Sequence, residues 1–228
     1  MKHKGKAGQA GRKLIFWTLV MVLAVLGSAI AAVVVASFIA VASWILIPLW
    51  MFFGLFVLYF FRDPTPNVPK GENLIVSPNH GTVDAIDQVD EPEFMGGCCQ
   101  RVSMFMTLFD VHVQKAPASG TVIYLRHRPG EFLNALRLES AAANENVLIG
   151  FQLDEAAGEK IAVRLIAGVL ARRIVPWVAL GDTVARGERI SLIQFGSRCE
   201  VYLPLSARIE VKLGDKTTGG QTVVARLG

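Results

Sequence analysis

The sequence predicts a mainly β protein: a flattened, barrel-sandwich-like β domain preceded by an N-terminal transmembrane helical hairpin. Residues 14–61 contain no charged side chain, whereas short apolar runs separated by Gly, Pro and Asn recur from Leu74 onward. The first pattern is typical of membrane helices and the second of β-strands. Gly181-Asp182 recurs 33 residues later as Gly214-Asp215, which indicates two similar hairpins placed symmetrically.

The apolar stretch is long enough for two membrane spans. As a helix, residues 14–61 would be roughly 72 Å long at about 1.5 Å per residue, against a hydrocarbon core of roughly 30 Å. We therefore expect one span over about 14–35 and a second over about 38–61, with a turn at Ala36-Ser37. A cleaved signal peptide would have a shorter apolar core before its cleavage site, so the stretch favours a retained anchor.

The positive charge is concentrated at the N-terminus. Five of the 23 basic side chains lie in residues 1–13, which leaves 18 against 19 acidic side chains in the rest of the chain. This balance does not indicate a nucleic-acid partner. A basic head before an apolar stretch is typical of a cytoplasmic flank, and Arg62 and Lys70 mark the other end of the stretch. We expect an unstructured head at 1–13 and a domain on the cytoplasmic side of the cell membrane.

The cysteines do not form a recognisable framework. Cys98, Cys99 and Cys199 are odd in number and two of them are adjacent, which argues against structural disulfides. No CxxC or His-rich spacing indicates a metal site. The pattern fits a reducing compartment.

The predicted β domain begins at a proline-rich linker. Residues 62–69, Arg-Asp-Pro-Thr-Pro-Asn-Val-Pro, cannot continue a helix, so we place the domain at 62–228. Its predicted strands are Leu74–Val76, Thr82–Ile86, Arg101–Leu108, Thr121–Leu125, Val147–Leu153, Ile161–Ala167, Arg173–Val178, Glu188–Ile193 and Cys199–Pro204. The segment 131–143 is either the one helix of the domain or an irregular connection.

The turn between the last two predicted strands contains Gly196-Ser197. Glycine adopts backbone angles that other residues resist, and it leaves its own carbonyl open to attack by a neighbouring hydroxyl. That geometry suits a serine that cleaves the peptide bond before it. An ordinary hairpin turn is the alternative interpretation of the same residues.

Three histidines lie in the predicted domain. His112 falls between Val111 and Val113 in an alternating segment, so we expect it to project away from the face that the valines bury. His80 lies in a predicted turn, and His127, between two arginines, is expected to face solvent. Taken singly, each of these histidines also fits a structural or surface role.

Several sequence blocks, in order along the chain, resemble one family. They are Arg62-Asp63-Pro64, Ser77-Pro78-x-x-Gly81, Phe105-Met106 with Asp110-Val111-His112-Val113 and Ala116-Pro117, Ile166-Ala167-Gly168 with Ala171-Arg172-Arg173-Ile174-Val175, and Phe195-Gly196-Ser197-Arg198 with Tyr202-Leu203-Pro204. Together they span residues 62–204 and resemble the short, archaeal-type form of phosphatidylserine decarboxylase, which is synthesised as a proenzyme.

The resemblance implies a self-cleaving lyase that needs no external cofactor. Ser197 would attack the carbonyl of Gly196 and split the precursor into a β chain, residues 1–196, and an α chain, residues 197–228, capped by a pyruvoyl group derived from Ser197. The pyruvoyl carbonyl would be the electron sink for converting phosphatidylserine to phosphatidylethanolamine. His112 matches the family's histidine, which acts as general base in cleavage and then as proton donor.

One departure from the family pattern affects this histidine. The family's Ser-Pro-Ala-Asp-Gly block contains an aspartate that orients the histidine, whereas this sequence has Asn79-His80 at the corresponding pair. Three alternatives follow. His80 replaces the aspartate in a His-His arrangement, Asp84 or Asp110 supplies the charge from a nearby turn, or the chain no longer matures.

The implied partners are phosphatidylserine in the bilayer, the membrane itself, and the β and α chains of the same precursor. The competing function is a non-catalytic, membrane-anchored module, because paired Gly-Asp hairpins on a flattened β-sandwich also resemble lipoyl-type domains.

Overall fold

The structure, a computed structural model, describes residues 6–133, 143–155, 158–168, 173–194 and 197–228. It consists of two compact units, Met1–Val57 and Leu58–Gly228. Phe195 and Gly196, and most of the segment 131–143 for which a helix was one of two predictions, lie outside the described residues.

The described residues form one helix and fourteen strands. In chain order these are α1 (Lys6–Phe60), β1 (Leu74–Val76), β2 (Gly81–Glu91), β3 (Gly97–Met106), β4 (Val113–Lys115), β5 (Gly120–Arg128), β6 (Asn146–Leu153), β7 (Lys160–Ala167), β8 (Ile174–Pro176), β9 (Thr183–Val184), β10 (Arg189–Ile193), β11 (Ser197–Leu203), β12 (Arg208–Ile209), β13 (Lys216–Thr217) and β14 (Val223–Arg226). The prediction of a mainly β domain after an apolar helical segment is confirmed.

The anchor differs from the prediction, because α1 is one continuous helix of 55 residues. The turn expected at Ala36-Ser37 is absent: neither residue breaks a helix, and the Ser37 hydroxyl donates to the Val33 carbonyl one turn earlier, at 2.8 Å. The helix also includes the basic residues from Lys6 onward, which were expected to be unstructured. Within the described residues, one helix, Gly11–Phe60, is long and apolar enough to cross a membrane.

The strands of the second unit form three antiparallel sheets. A curled eight-stranded sheet has the order β13-β2-β3-β11-β7-β6-β5-β9, and two three-stranded sheets have the orders β1-β14-β12 and β4-β10-β8. The order is symmetric about the β11-β7 pair, because β2 with β13 at one end corresponds to β5 with β9 at the other. Strands β10 and β11, which flank the predicted Gly196-Ser197 turn, belong to different sheets, so they do not form the hairpin of the alternative interpretation.

The paired Gly-Asp turns confirm the predicted internal repeat. In Gly181-Asp182 and Gly214-Asp215 the glycines have φ angles of 92° and 88°, in the left-handed region that favours glycine. In each copy the aspartate carboxylate accepts the amide N–H of the residue three positions earlier, at 2.8 Å. The two turns are thus built by the same side-chain cap at equivalent ends of the eight-stranded sheet.

A second repeat, which the sequence analysis missed, covers the turns that lead into β2 and β5. Residues 77–83, Ser-Pro-Asn-His-Gly-Thr-Val, correspond to residues 116–122, Ala-Pro-Ala-Ser-Gly-Thr-Val, 39 positions later. The amide before each copy donates to the proline carbonyl of the other copy, at 2.8 and 2.7 Å. The domain is therefore built from two similar β units that exchange hydrogen bonds at their central turns.

Strand β11 is buried on both faces. Cys199, Val201 and Leu203 point into the main hydrophobic core, as the alternation predicts. Arg198 and Glu200, on the opposite face, are also 0% exposed. The first residue of this central strand is Ser197, so the fold places the predicted nucleophile in the interior of the domain.

Candidate active site

Ser197 begins β11 and is 0% exposed. Its strand neighbours are Met106 on β3 and Ala167 on β7. The Ser197 hydroxyl lies 3.2 Å from the sulfur of Met106, a weak acceptor. A hydroxyl in such surroundings stays protonated, so it needs a separate base in order to act as a nucleophile.

His112 lies just before β4 and is 0% exposed. Its neighbours Val111 and Val113 are buried too, so both sides of this segment pack against other elements. The projection of His112 away from the valines stays a prediction. Its Nδ1 lies 2.9 Å from the backbone carbonyl oxygen of Asp110. A carbonyl can only accept, so in the neutral ring Nδ1 carries the proton and Nε2 has the lone pair that a base requires.

Burial sets the protonation state of His112. The net pKa of the ring is lowered to about 4. Loss of hydration is the largest cause and Arg62 acts in the same direction, whereas the carbonyl and the negative charge of Asp110 oppose the shift. The pKa lies below the ordinary value of 6.5, so the ring is neutral at pH 7 and its base function is lost only as the pH falls through about 4.

Backbone and side-chain contacts bring His112 and Ser197 to the same part of the domain. Ile193, four residues before Ser197, donates its amide N–H to the His112 carbonyl at 3.2 Å. The Gln114 amide group donates to that same carbonyl at 2.8 Å and lies 3.9 Å from the Met106 sulfur. Since Ser197 contacts this sulfur too, Met106 is a shared neighbour of the serine and of the segment that carries His112.

Gln114 was not predicted as a site residue. It is fully buried, and its side-chain oxygen accepts a hydrogen bond from the Ser191 hydroxyl at 2.8 Å. An amide side chain in a mostly apolar segment, two positions after a candidate histidine, was the available sequence signal.

His80 lies in the predicted turn, and its place in the internal repeat accounts for its contacts. Its Nδ1 accepts the backbone N–H of Gly219 at 3.3 Å. At the equivalent place, the Ser119 hydroxyl accepts the backbone N–H of Arg186 at 3.1 Å. Burial lowers the pKa of His80, which favours the neutral ring with its proton on Nε2. A hydrogen bond from His80 to His112 stays a prediction.

The two aspartates considered as substitutes have different surroundings. Asp84 pairs with the buried guanidinium of Arg198 at 2.6 Å. Its carboxylate therefore lies at the face of β11 that points away from the main hydrophobic core. The Asp110 carboxylate caps a tight turn by accepting the backbone N–H and hydroxyl of Thr107, both at 2.7 Å. Of the two aspartates, Asp110 is the one that contacts the His112 ring, through its backbone carbonyl oxygen, 2.9 Å from Nδ1.

A buried lysine near the site was also missed. Lys115 is 0% exposed and donates to Asp63 at 2.7 Å, and Arg189 makes a second, short contact to the same carboxylate. Burial raises the pKa of Asp63, but the hydrogen bonds from these two cations outweigh it and leave the pKa lowered. The Arg62-Asp63-Pro64 linker is thereby tied to the strand that follows His112.

Comparison with known proteins identifies the family. A sequence model described as phosphatidylserine decarboxylase matches residues 53–225. The chain belongs to the phosphatidylserine decarboxylase family. The phosphatidylserine decarboxylase proenzyme of Symbiobacterium thermophilum is 43% identical over 173 residues, which cover 76% of this chain and 80% of that protein. The proenzyme of Pelobacter propionicus is 43% identical over 174 residues, 76% of this chain and 78% of that protein.

A third relative, the phosphatidylserine decarboxylase proenzyme of Desulfotalea psychrophila, is 40% identical over 172 residues. These residues cover 75% of this chain and 79% of that protein. The match to the family model begins inside the apolar helix, before Arg62, so the end of the anchor belongs to the part of the chain that the family shares.

The protonation of His112 in this chain can be measured directly. We expect a histidine-labelled chain in detergent micelles to give an NMR titration for His112 with a midpoint near 4, because burial disfavours the imidazolium. The His112→Gln variant assigns the signal. A midpoint near the ordinary histidine value would show that the ring is hydrated.

Proposed function

We propose that this chain converts phosphatidylserine to phosphatidylethanolamine and carbon dioxide, using a pyruvoyl group made from its own Ser197. The observation that carries the proposal is the family match over 53–225, which includes the Gly196-Ser197 turn. A fully buried serine at the start of a strand supports it, because this serine shares the neighbour Met106 with the segment that carries the buried His112. The relatives are named as proenzymes, and such a name agrees with a precursor that is processed.

Formation of the group needs a base at the serine. His112 Nε2 accepts the Ser197 hydroxyl proton as Oγ attacks the Gly196 carbonyl carbon. The C–N bond then breaks and the proton passes from His112 to the departing nitrogen, which leaves a free amine on Ser197 and an ester between the two residues. Loss of the Ser197 Cα proton then expels the Gly196 carboxylate, and hydrolysis of the resulting enamine releases ammonia and leaves the pyruvoyl carbonyl.

The surroundings of Ser197 suit the group it would become. Once present, the pyruvoyl group supplies the electron sink for loss of carbon dioxide from an α-amino acid. The residues around Ser197 exclude water, since Met106, Ala167 and Ser197 are all 0% exposed. We assign to His112 the delivery of a proton to the carbon that has lost carbon dioxide.

The anchor serves the substrate in this proposal. A diacyl lipid leaves the bilayer slowly, so a helix that keeps the domain at the membrane raises the encounter rate with the lipid head group. The competing proposal, a module or relative that no longer matures, is favoured only by the replacement of the family aspartate by His80.

Blocking the nucleophile tests the self-cleavage. We expect the purified wild-type chain to give two fragments on a denaturing gel, cut between Gly196 and Ser197, and Ser197→Ala to stay one chain of 24.8 kDa. Mass spectrometry identifies the blocked N-terminus of the small fragment. Ser206→Ala, at an exposed position of the same fragment, is the matched control and should mature normally. An intact wild-type chain, or cleavage of Ser197→Ala, would contradict the proposal.

The repeat suggests how His80 replaces the family aspartate: as an acceptor for the Gly219 amide, with Asp110 orienting His112. We expect His80→Asp and His80→Ser, which both keep an acceptor, to mature within a few-fold of the wild-type rate, and His80→Ala to mature more slowly. The measurement is the time course of fragment appearance after cell-free synthesis. If His80→Ser is as slow as His80→Ala, by roughly 100-fold, His80 is an acid-base partner of His112 instead.

We also propose that the domain faces the cytoplasm, which fits its three unpaired cysteines. With the basic head in the cytoplasm, a single crossing by the continuous helix α1 would place the domain on the opposite side, whereas two crossings would return it to the side of the head, and the labelling below decides between them. Cys98 is exposed and Cys99 and Cys199 are buried, so Cys98 is a natural reporter. A membrane-impermeant maleimide should label it only after cells are broken, with Cys98→Ser as the control. Labelling in intact cells would place the domain outside.

A further inference from the structure

The last turn of α1 and the residues that follow it contact the segment that carries His112. Residues Tyr59–Asp63 belong to the same compact unit as the strands. We propose that Tyr59, Phe60, Arg62 and Asp63 form one wall of the active site and that Phe60 is a positioning residue for the His112 imidazole. The assignment of His112 as the base rests on the proposed function, whereas its contact with Phe60 does not.

Phe60 is unlike most described side chains of its helix. Large apolar residues of α1 such as Phe52, Leu58 and Phe53 are 60–73% exposed, whereas Phe60 is 1% exposed. Its ring centroid lies 4.2 Å from that of the His112 ring, at an interplanar angle of 32°. At this distance the phenyl ring covers one face of the imidazole and excludes water from it.

Two neighbours of Phe60 hold the start of the histidine segment. The Arg62 guanidinium donates to the backbone carbonyl oxygen of Phe109 at 2.6 Å, and the Tyr59 hydroxyl reaches the same oxygen at 3.3 Å. Arg62 is itself held, since it donates to the Tyr59 carbonyl and lies over the Tyr59 ring, 3.9 Å from its centroid. The carbonyl three residues before His112 is therefore fixed by a preassembled pair.

The end of the same segment is held by Asp63. Its carboxylate accepts a hydrogen bond from Lys115 Nζ at 2.7 Å, and this lysine is fully buried three residues after His112. Four of the five residues Tyr59–Asp63 thus contact the histidine segment, at Phe109, at His112 and at Lys115. A displacement of the junction would move the imidazole, and small displacements of a base reduce rates strongly.

Burial has the largest effect on the pKa of His112, and two charged groups on neighbouring elements modify it. Asp110, on the histidine's own segment, raises the pKa, and Arg62, from the junction, lowers it. His80, from the turn before β2, is influenced by the same two charges. Removal of the Phe60 ring would admit water to His112 without changing any of these charges, so its expected effect is a rise in the pKa of His112.

The experiment uses the full chain in detergent micelles, in the uncleavable Ser197→Ala background, so that its outcome does not depend on self-cleavage. Phe60→Ala, Phe60→Leu and the control Phe61→Ala are compared by histidine NMR titration. Phe61 follows Phe60 directly but is 41% exposed. We expect Phe60→Ala to raise the His112 midpoint by about one unit or more, Phe60→Leu to raise it less, and Phe61→Ala to leave it unchanged.

The same substitutions in the cleavable chain provide the functional readout. We expect Phe60→Ala to slow fragment formation by roughly 10- to 100-fold, with partial recovery in Phe60→Leu. An unchanged His112 midpoint in folded Phe60→Ala would overturn the proposal. If Phe60→Ala does not fold, an unchanged midpoint in Phe60→Leu overturns it equally. A shifted midpoint in a wild-type background that never self-cleaves would support the wall and refute the pyruvoyl function.

Discussion

The structure depends on the burial of one central strand on both of its faces. Strand β11 lies between β3 and β7, and all seven of its residues are buried. A strand that carries Arg198 and Glu200 tolerates this only because each charge has a partner, Asp84 for the arginine and Arg101 for the glutamate. The same burial removes water from Ser197 at the start of the strand.

The duplicated frame explains where the site lies. The two repeated turns exchange hydrogen bonds at their prolines, so their central residues face corresponding parts of the other unit. One copy has Ser119 as an ordinary acceptor, and the other has His80 at the equivalent position. The proposed site thus occupies one of two similar places in the fold, and His80 in place of Ser119 is one of the differences between them.

The sequence predicted nine of the fourteen described strands, because alternation and turn residues are local signals. It did not predict that His112 is buried, since alternation separates the two faces of a segment but does not tell what packs on each. The two membrane spans were likewise predicted from the length of the apolar stretch, and length alone does not tell whether the helix continues through Ala36-Ser37, as α1 does. The role of Phe60 was hidden because an apolar residue at the end of an apolar helix carries no distinguishing pattern.

The position of Ser197 at the start of β11 has a consequence for the durability of a matured molecule. Strands β11 to β14 all follow this residue, and they are inserted at separate places in two sheets, next to β3, β7, β2 and β1. After a cut before Ser197 the two pieces would be held together by these ladders and the core alone, like a reconstituted split protein. Refolding would become a bimolecular reaction, so a matured enzyme would owe its lifetime to slow unfolding rather than to recovery after it.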